Sequence, residues 1–227
     1  MSNFFVLSLG GSLIVPNGGP DHEFLKNFRE IILRYVEAGN RFFIVAGGGM
    51  TTRSYQQAAR KIIDLPDVDI DWLGIHVTHL NGHLLRTIFR DTAYVKVLTH
   101  YDEKLDIKEP ITIAAGWQPG HSTDYDAVMF AKLYESSTVV NLSNIPFVYD
   151  KDPNKFPDAA PLKKISWANF RKIVGSTWTP GDNLPFDPIA SKEAEEAKLK
   201  VVIMDGRNLQ NFENFLEGNE FEGTVIN

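Results

Sequence analysis

The chain contains no cysteine. It therefore has neither a disulfide framework nor a thiolate metal site, and cysteine usage leaves its redox compartment unmarked. Basic residues are outnumbered, 23 Lys and Arg against 29 Asp and Glu, for a formal net charge of -6 and a pI near 5.5. That balance excludes a broad basic surface for nucleic acid. No apolar run approaches the ~20 residues of a membrane span. The N-terminus runs straight into "FFVLSLGGS" without a basic segment and a long apolar stretch. These absences predict a soluble, cytoplasmic protein with no membrane or nucleic-acid partner. Two common phosphate-binding patterns are also missing, Gly-x4-Gly-Lys-Ser/Thr and Gly-x-Gly-x-x-Gly. With no repeat, low-complexity tract or linker to divide the 227 residues, of which 43% are apolar, a single domain over 1–227 is expected.

What the chain does have is alternation. Short apolar runs at 3–9, 41–46, 93–98, 110–115, 137–143 and 200–205 are rich in β-branched or aromatic residues, as strands covered on both faces are. Helical patterns fill 21–38, 51–63, 70–90, 123–135, 166–174, 188–199 and 208–217. In the first, Phe24, Phe28, Ile31, Ile32, Tyr35 and Val36 form one stripe, with Asp21 placed as N-cap and Gly39 as the left-handed residue past the end. The order predicts an α/β protein with helices on both sides of a mainly parallel sheet. The polar, proline-bearing stretch 144–162 reads as a long loop of the kind that is often functional.

In open parallel sheets ligands gather beyond the carboxyl ends of the strands. There the chain places "GGS" (10–12), "GGG" (47–49), "GWQPGHSTD" (116–124) and "SNIPFVYDKDP" (143–153). Glycine lets backbone N–H groups reach a ligand, and a helix N-terminus favours anions, so two such loops suit a ligand with several phosphates. "GGGMTTR" adds Arg53, able to fork onto phosphate oxygens. An ordinary turn would also explain either loop alone. Thr123 with Asp126 reads as a helix cap, and Asp187-Pro188 as a helix start. His76, His79 and His83 share a helix face; with no carboxylate or cysteine to complete a metal site, they read as interface or surface residues.

Taken together, "LSLGGSLIVP", "VAGGGMTTRSYQQAAR", "DWLGIHVTHLNGHLL", "GWQPGHSTDYDAV", "VYDKDP", "FDPIASKEAEEAKL" and the ending "EGTVI" resemble, in order and over nearly the whole chain, the amino acid kinase family, archaeal-type UMP kinases above all. The resemblance implies a three-layer αβα sandwich, a homohexamer built from dimers, and phosphoryl transfer from Mg-ATP to UMP. By position it implies that Gly10, Gly11, Ser12, Gly49 and Arg53 face the ATP phosphates, with Ser143, Tyr149 and Asp152 on the ATP nucleoside side. Gly48, Asp71, Trp117, Gln118, Pro119, Gly120, His121, Ser122 and Thr123 would hold UMP, Asp71 accepting from its ribose or base. Arg53, Asp124 and Asp187 are the candidates for the catalytic groups, the two carboxylates orienting the metal or its neighbours. The same fold also serves kinases of other small phosphates or carboxylates and ATP-binding molybdenum/tungsten storage proteins. The chain departs from the family at Ser8, where many relatives carry lysine, and at Asn144 to Tyr149, which replaces Asn-Val-Asp-Gly-Val-Tyr. Trp117, Tyr125 and Asp126 are bulkier or more polar than the usual residues, and His79 stands where Arg is usual.

Overall fold

The structure, a computed structural model, describes residues 3–179 and 184–227. In chain order the elements are β1 (Phe4–Leu9), α1 (Gly11–Ile14), α2 (His22–Glu37), β2 (Arg41–Ala46), α3 (Gly49–Ile62), α4 (Asp67–Ile88), β3 (Ile111–Ala114), α5 (Thr123–Leu133) and β4 (Thr138–Ser143). There follow β5 (Val148–Tyr149), β6 (Pro161–Leu162), β7 (Lys164–Ile165), α6 (Trp167–Val174), α7 (Pro188–Glu196), β8 (Lys200–Asp205), α8 (Leu209–Glu217) and β9 (Thr224–Ile226). Among the described residues the main sheet has seven strands in the order β3-β2-β1-β4-β8-β9-β7. Every neighbouring pair in it is parallel except β8 with β9.

Strand alternation divides the core in two. Leu7, Leu9, Phe42, Ile44 and Ala46 point to one face, where Phe28 and Ile32 of α2, Leu85 of α4 and Phe212 of α8 cover them. Val6, Phe43 and Val45 point to the other, under Ala127 and Phe130 of α5, Phe170 of α6 and Ala190 of α7. Because both faces are buried, the strands read as nearly unbroken apolar runs, and a three-layer αβα sandwich results.

The expected helix ends at Asp21 and Asp187 are present: Asp21 accepts from Phe24 N at 3.0 Å, and Asp187 from Ile189 N and Ala190 N. Three expectations need correction. Residues 93–98 form no strand; they make isolated parallel bridges through Ala93 and Leu98 alone. This ribbon runs along the outer edge of β3, and with Val95 62% exposed it lacks the two-sided burial of its neighbours. The stretch 144–162 is not loop throughout, since β5 and β6 pair antiparallel across it. Finally, the cap of α5 is Ser122, whose Oγ accepts from Asp124 N at 3.1 Å, and Thr123 is the first helical residue.

Candidate active site

The parallel order carries the ends of β1, β2, β3 and β4 to one edge of the sheet. A cleft of about 1030 Å³ opens there, lined by residues from all four following loops. Its middle is made of main chain. Gly10 N donates to Leu142 O at 2.8 Å and Gly47 N to Leu9 O at 2.9 Å, so each turn is tied to the neighbouring strand. The two glycine turns also interlock. A β-carbon on Gly11 would collide with Gly49 N, and one on Gly49, whose φ is +72°, would collide with Gly11 O. Only glycine permits that approach. Asn81 of α4 fixes the second turn from behind, its Nδ2 donating to Gly47 O at 2.7 Å and Gly48 O at 3.1 Å.

Beneath the turns lies a polar floor. Ser8 and Asn141 are cross-strand neighbours on β1 and β4, both turned toward α5. Ser8 Oγ donates to Asp124 Oδ1 at 2.7 Å, and Asn141 Nδ2 donates to the same oxygen at 2.8 Å. Burial pushes the Asp124 carboxyl up to about 7, outweighing the lowering effect of the Ser8 hydrogen bond. Sequence reasoning took Ser8 for a missing charge and passed over Asn141 and Asn81. The one available signal was an amide within an otherwise apolar strand or helix face.

One half of the cleft is walled by α3, α4 and the start of α5. Arg53 is exposed at its rim. Asp71 lies 9% exposed, accepts from Gly120 N at 2.7 Å, and is raised by burial above the ordinary carboxylate range. Gln118, His121, Ser122 and Thr123 line this half as well, and burial lowers the His121 imidazole. The other half is walled by Ser143 through Asn154, including Tyr149 and Asp152. The Asp152 carboxyl is held low, chiefly by the Asn154 N–H.

Three of the residues expected around UMP do not line the cleft. Trp117 turns onto Tyr101, ring centroids 4.7 Å apart, while Pro119 and Gly120 shape the loop behind. Asp187, expected near the metal or catalytic groups, is 2% exposed and also lies outside the lining. Besides capping α7 it accepts from Ser122 N at 2.6 Å, so it joins the starts of α5 and α7. Of the histidines on α4, His76 and His83 are exposed, and His79 Nε2 donates to Gly116 O at 2.8 Å. Among the described residues no cluster of three His, Asp or Glu is placed to hold a metal ion.

Comparison with known proteins gives the same outline. The chain is 31% identical over 228 residues to a uridylate kinase of Methanococcus aeolicus, covering 98% of each. It is 34% identical over 209 residues to a uridylate kinase of Sulfolobus acidocaldarius, covering 90% of this chain and 91% of the relative. The solved uridylate kinase of Archaeoglobus fulgidus superposes with a TM-score of 0.81 at 29% identity and full coverage of both chains. A sequence model of the amino acid kinase family matches residues 3–205. The chain belongs to the amino acid kinase family.

Proposed function

We propose that the protein is an ATP-dependent nucleoside monophosphate kinase that transfers the γ-phosphoryl group of ATP to the phosphate of UMP, giving UDP. The observation that carries this reading is the pair of interlocked glycine turns at the waist of a cleft with two halves. Two nucleotides entering from opposite ends would bring their phosphates together there. The acceptor's phosphate oxygen is already a nucleophile, so the protein's work is to align it and to neutralise charge spread over the moving group. Main-chain N–H groups of Gly11, Ser12, Gly48 and Gly49, with Arg53 above them, suit that charge.

On this reading Gly10, Gly11, Ser12, Gly49, Ser143, Tyr149 and Asp152 belong to the ATP half. Gly48, Asp71, Gln118, His121, Ser122 and Thr123 belong to the UMP half. Asp71 presents a buried carboxyl to the ribose, and the start of α5 faces the acceptor phosphate. Mg²⁺ accompanies ATP, and a cleft without a cluster of ligands fits an ion held chiefly by phosphate oxygens, with Asp124 as the carboxyl that completes it. Bound there, the ion would offset phosphate charge. Asp187 acts on the UMP half through Ser122, whose N–H it accepts.

A further part of the proposal is assembly. Val68, Trp72, His76 and Leu80 recur every fourth residue along α4 and all are exposed, Leu80 by 64%. Such a stripe suits a second copy of the chain, as the first step toward a hexamer built from dimers. No helix among the described residues is long and apolar enough to cross a membrane.

The direct test is a panel of UMP, CMP, AMP and small phosphates incubated with Mg-ATP. UDP is the expected product, and a panel without any diphosphate product ends the reading. Arg53→Ala is expected to slow transfer by orders of magnitude while the fold survives. Unchanged turnover would take Arg53 out of the mechanism.

A further inference from the structure

The loop 116–123, which supplies most of the side chains assigned to the acceptor half, is fastened through its main chain. Four side chains accept from its N–H groups: Thr78 Oγ1 from Gly116 N at 2.9 Å, Asp126 from Trp117 N, Asp71 from Gly120 N at 2.7 Å and Asp187 from Ser122 N at 2.6 Å. Its carbonyls are treated differently. Among the described residues only one is met by a side chain from outside the loop, that of Gly116, which lies 2.8 Å from His79 Nε2. A carbonyl oxygen can only accept, so Nε2 carries the proton.

Two of these contacts grip one peptide unit. The carbonyl of Gly116 and the N–H of Trp117 lie in the same plane and point in opposite directions. His79 holds the first, and the buried Asp126 carboxyl faces the second. The unit stands where the sheet lets go: β3 ends at Ala114, Ala115 N still donates to Leu98 O at 2.9 Å, and Gly116 comes next. It also adjoins a glycine, beside which a peptide plane turns most freely. A β-carbon there would press on Thr78 Oγ1, 3.2 Å away. Beyond this plane the chain splits its side chains. Trp117 turns onto Tyr101, while Gln118, His121, Ser122 and Thr123 line the cleft.

We propose that His79 is a positioning residue for the acceptor nucleotide: with Asp126 opposite, it sets the tilt of the peptide joining Gly116 to Trp117, and thereby the course of the loop that receives UMP. The inference rests on the UMP kinase reading of the site. Gly116 is buried, and without the imidazole its carbonyl loses its partner. An orphaned buried carbonyl is costly enough to turn the plane toward water. That turn displaces Gln118 and the residues after it. The glycine turns under the donor's phosphates keep their own ties, to Leu142 O, to Leu9 O and to Asn81. The effect is therefore selective for the acceptor.

The test uses the full chain with Mg-ATP and UMP, reading KM for UMP and, separately, the affinity for a non-hydrolysable ATP analogue. His79→Ala is expected to raise KM for UMP roughly tenfold and to leave the analogue's affinity within about twofold of wild type. His79→Gln puts an amide nitrogen where Nε2 stood and should stay within about threefold of wild type in KM. His79→Asn reproduces only the position of Nδ1 and should behave as alanine does. An alanine variant with unchanged KM for UMP overturns the inference. So does one that weakens UMP and the analogue alike, since His79 is then part of the framework. Glutamine no better than alanine, or asparagine as good as glutamine, overturns it too. If the alanine variant does not fold, glutamine against asparagine decides by the same criterion. Wild type that makes no UDP brings down the kinase reading itself, and this inference with it, whereas active wild type with indifferent variants removes this inference alone.

Discussion

The partners that the protein itself gives the Asp124 carboxyl, under the phosphate site, are two neutral donors, Ser8 and Asn141. Those hydrogen bonds favour the charged form but do not overcome burial, which leaves the folded carboxyl near 7. The folded pKa is thus above the unfolded one, so this group's contribution to stability is complete below the ordinary carboxylate value. It declines as pH rises from about 4 to about 7 and is level above that. Asp124→Asn keeps the oxygen that both donors use and does not titrate. We expect variant and wild type to melt alike near pH 4, and the variant to be more stable at pH 8 by roughly a few kcal/mol. Melting curves that stay parallel over that range would contradict the raised value. In the sequence Asp124 was recognisable from its motif, but its partners were not. Ser8 and Asn141 sit in runs whose other residues are core, and only strand register brings the two opposite each other.

At the scale of the element, the two glycine turns act as one unit of main chain. Gly11→Ala is expected to abolish binding of an ATP analogue and to lower the melting temperature markedly, because backbone of residues 48 and 49 occupies the space the methyl needs. Gly39 provides the contrast: its φ is +89° but nothing lies within 4 Å of an added carbon. There alanine should cost only the left-handed conformation, about 1 kcal/mol, with nucleotide binding intact. If titration and melting ranked the two substitutions the other way, the interlock would not be what shapes the cleft. Glycine triplets at strand ends were legible as phosphate loops, but their contact with one another was not, since residues 11 and 49 meet only after β1 and β2 have paired. Local propensity failed in the same way at 93–98. "AYVKVL" has the composition of a strand and lacks only a free sheet edge long enough to pair with. At α5 the motif was right and the cap fell one residue early, because the extended backbone of Ser122 lets its own hydroxyl reach back to Asp124 N.

For the whole molecule, alternation of strand and helix was enough to give a covered parallel sheet. The antiparallel β9 and the placement of β7 beyond it follow from long-range pairing that no local pattern encodes. The exposed stripe on α4 makes a prediction at this scale. Leu80→Glu should reduce the mass of the assembly measured by light scattering while leaving the secondary structure unchanged. An unaltered mass would move the contact elsewhere. The cleft, finally, has unequal jaws. One is clamped at its hinge, with turn wedged against turn and an asparagine pinned behind, so neither half of it can shift without the other. The opposite wall, from Ser143 to Asn154, is tied by the pairing of β5 with β6, by Val148 N donating to Thr224 Oγ1 at 2.8 Å and by Arg207 Nη2 donating to Asn144 O at 3.1 Å. The glycine jaw is thus fastened main chain to main chain, and the wall facing it by side chains reaching in from β9 and from the turn after β8.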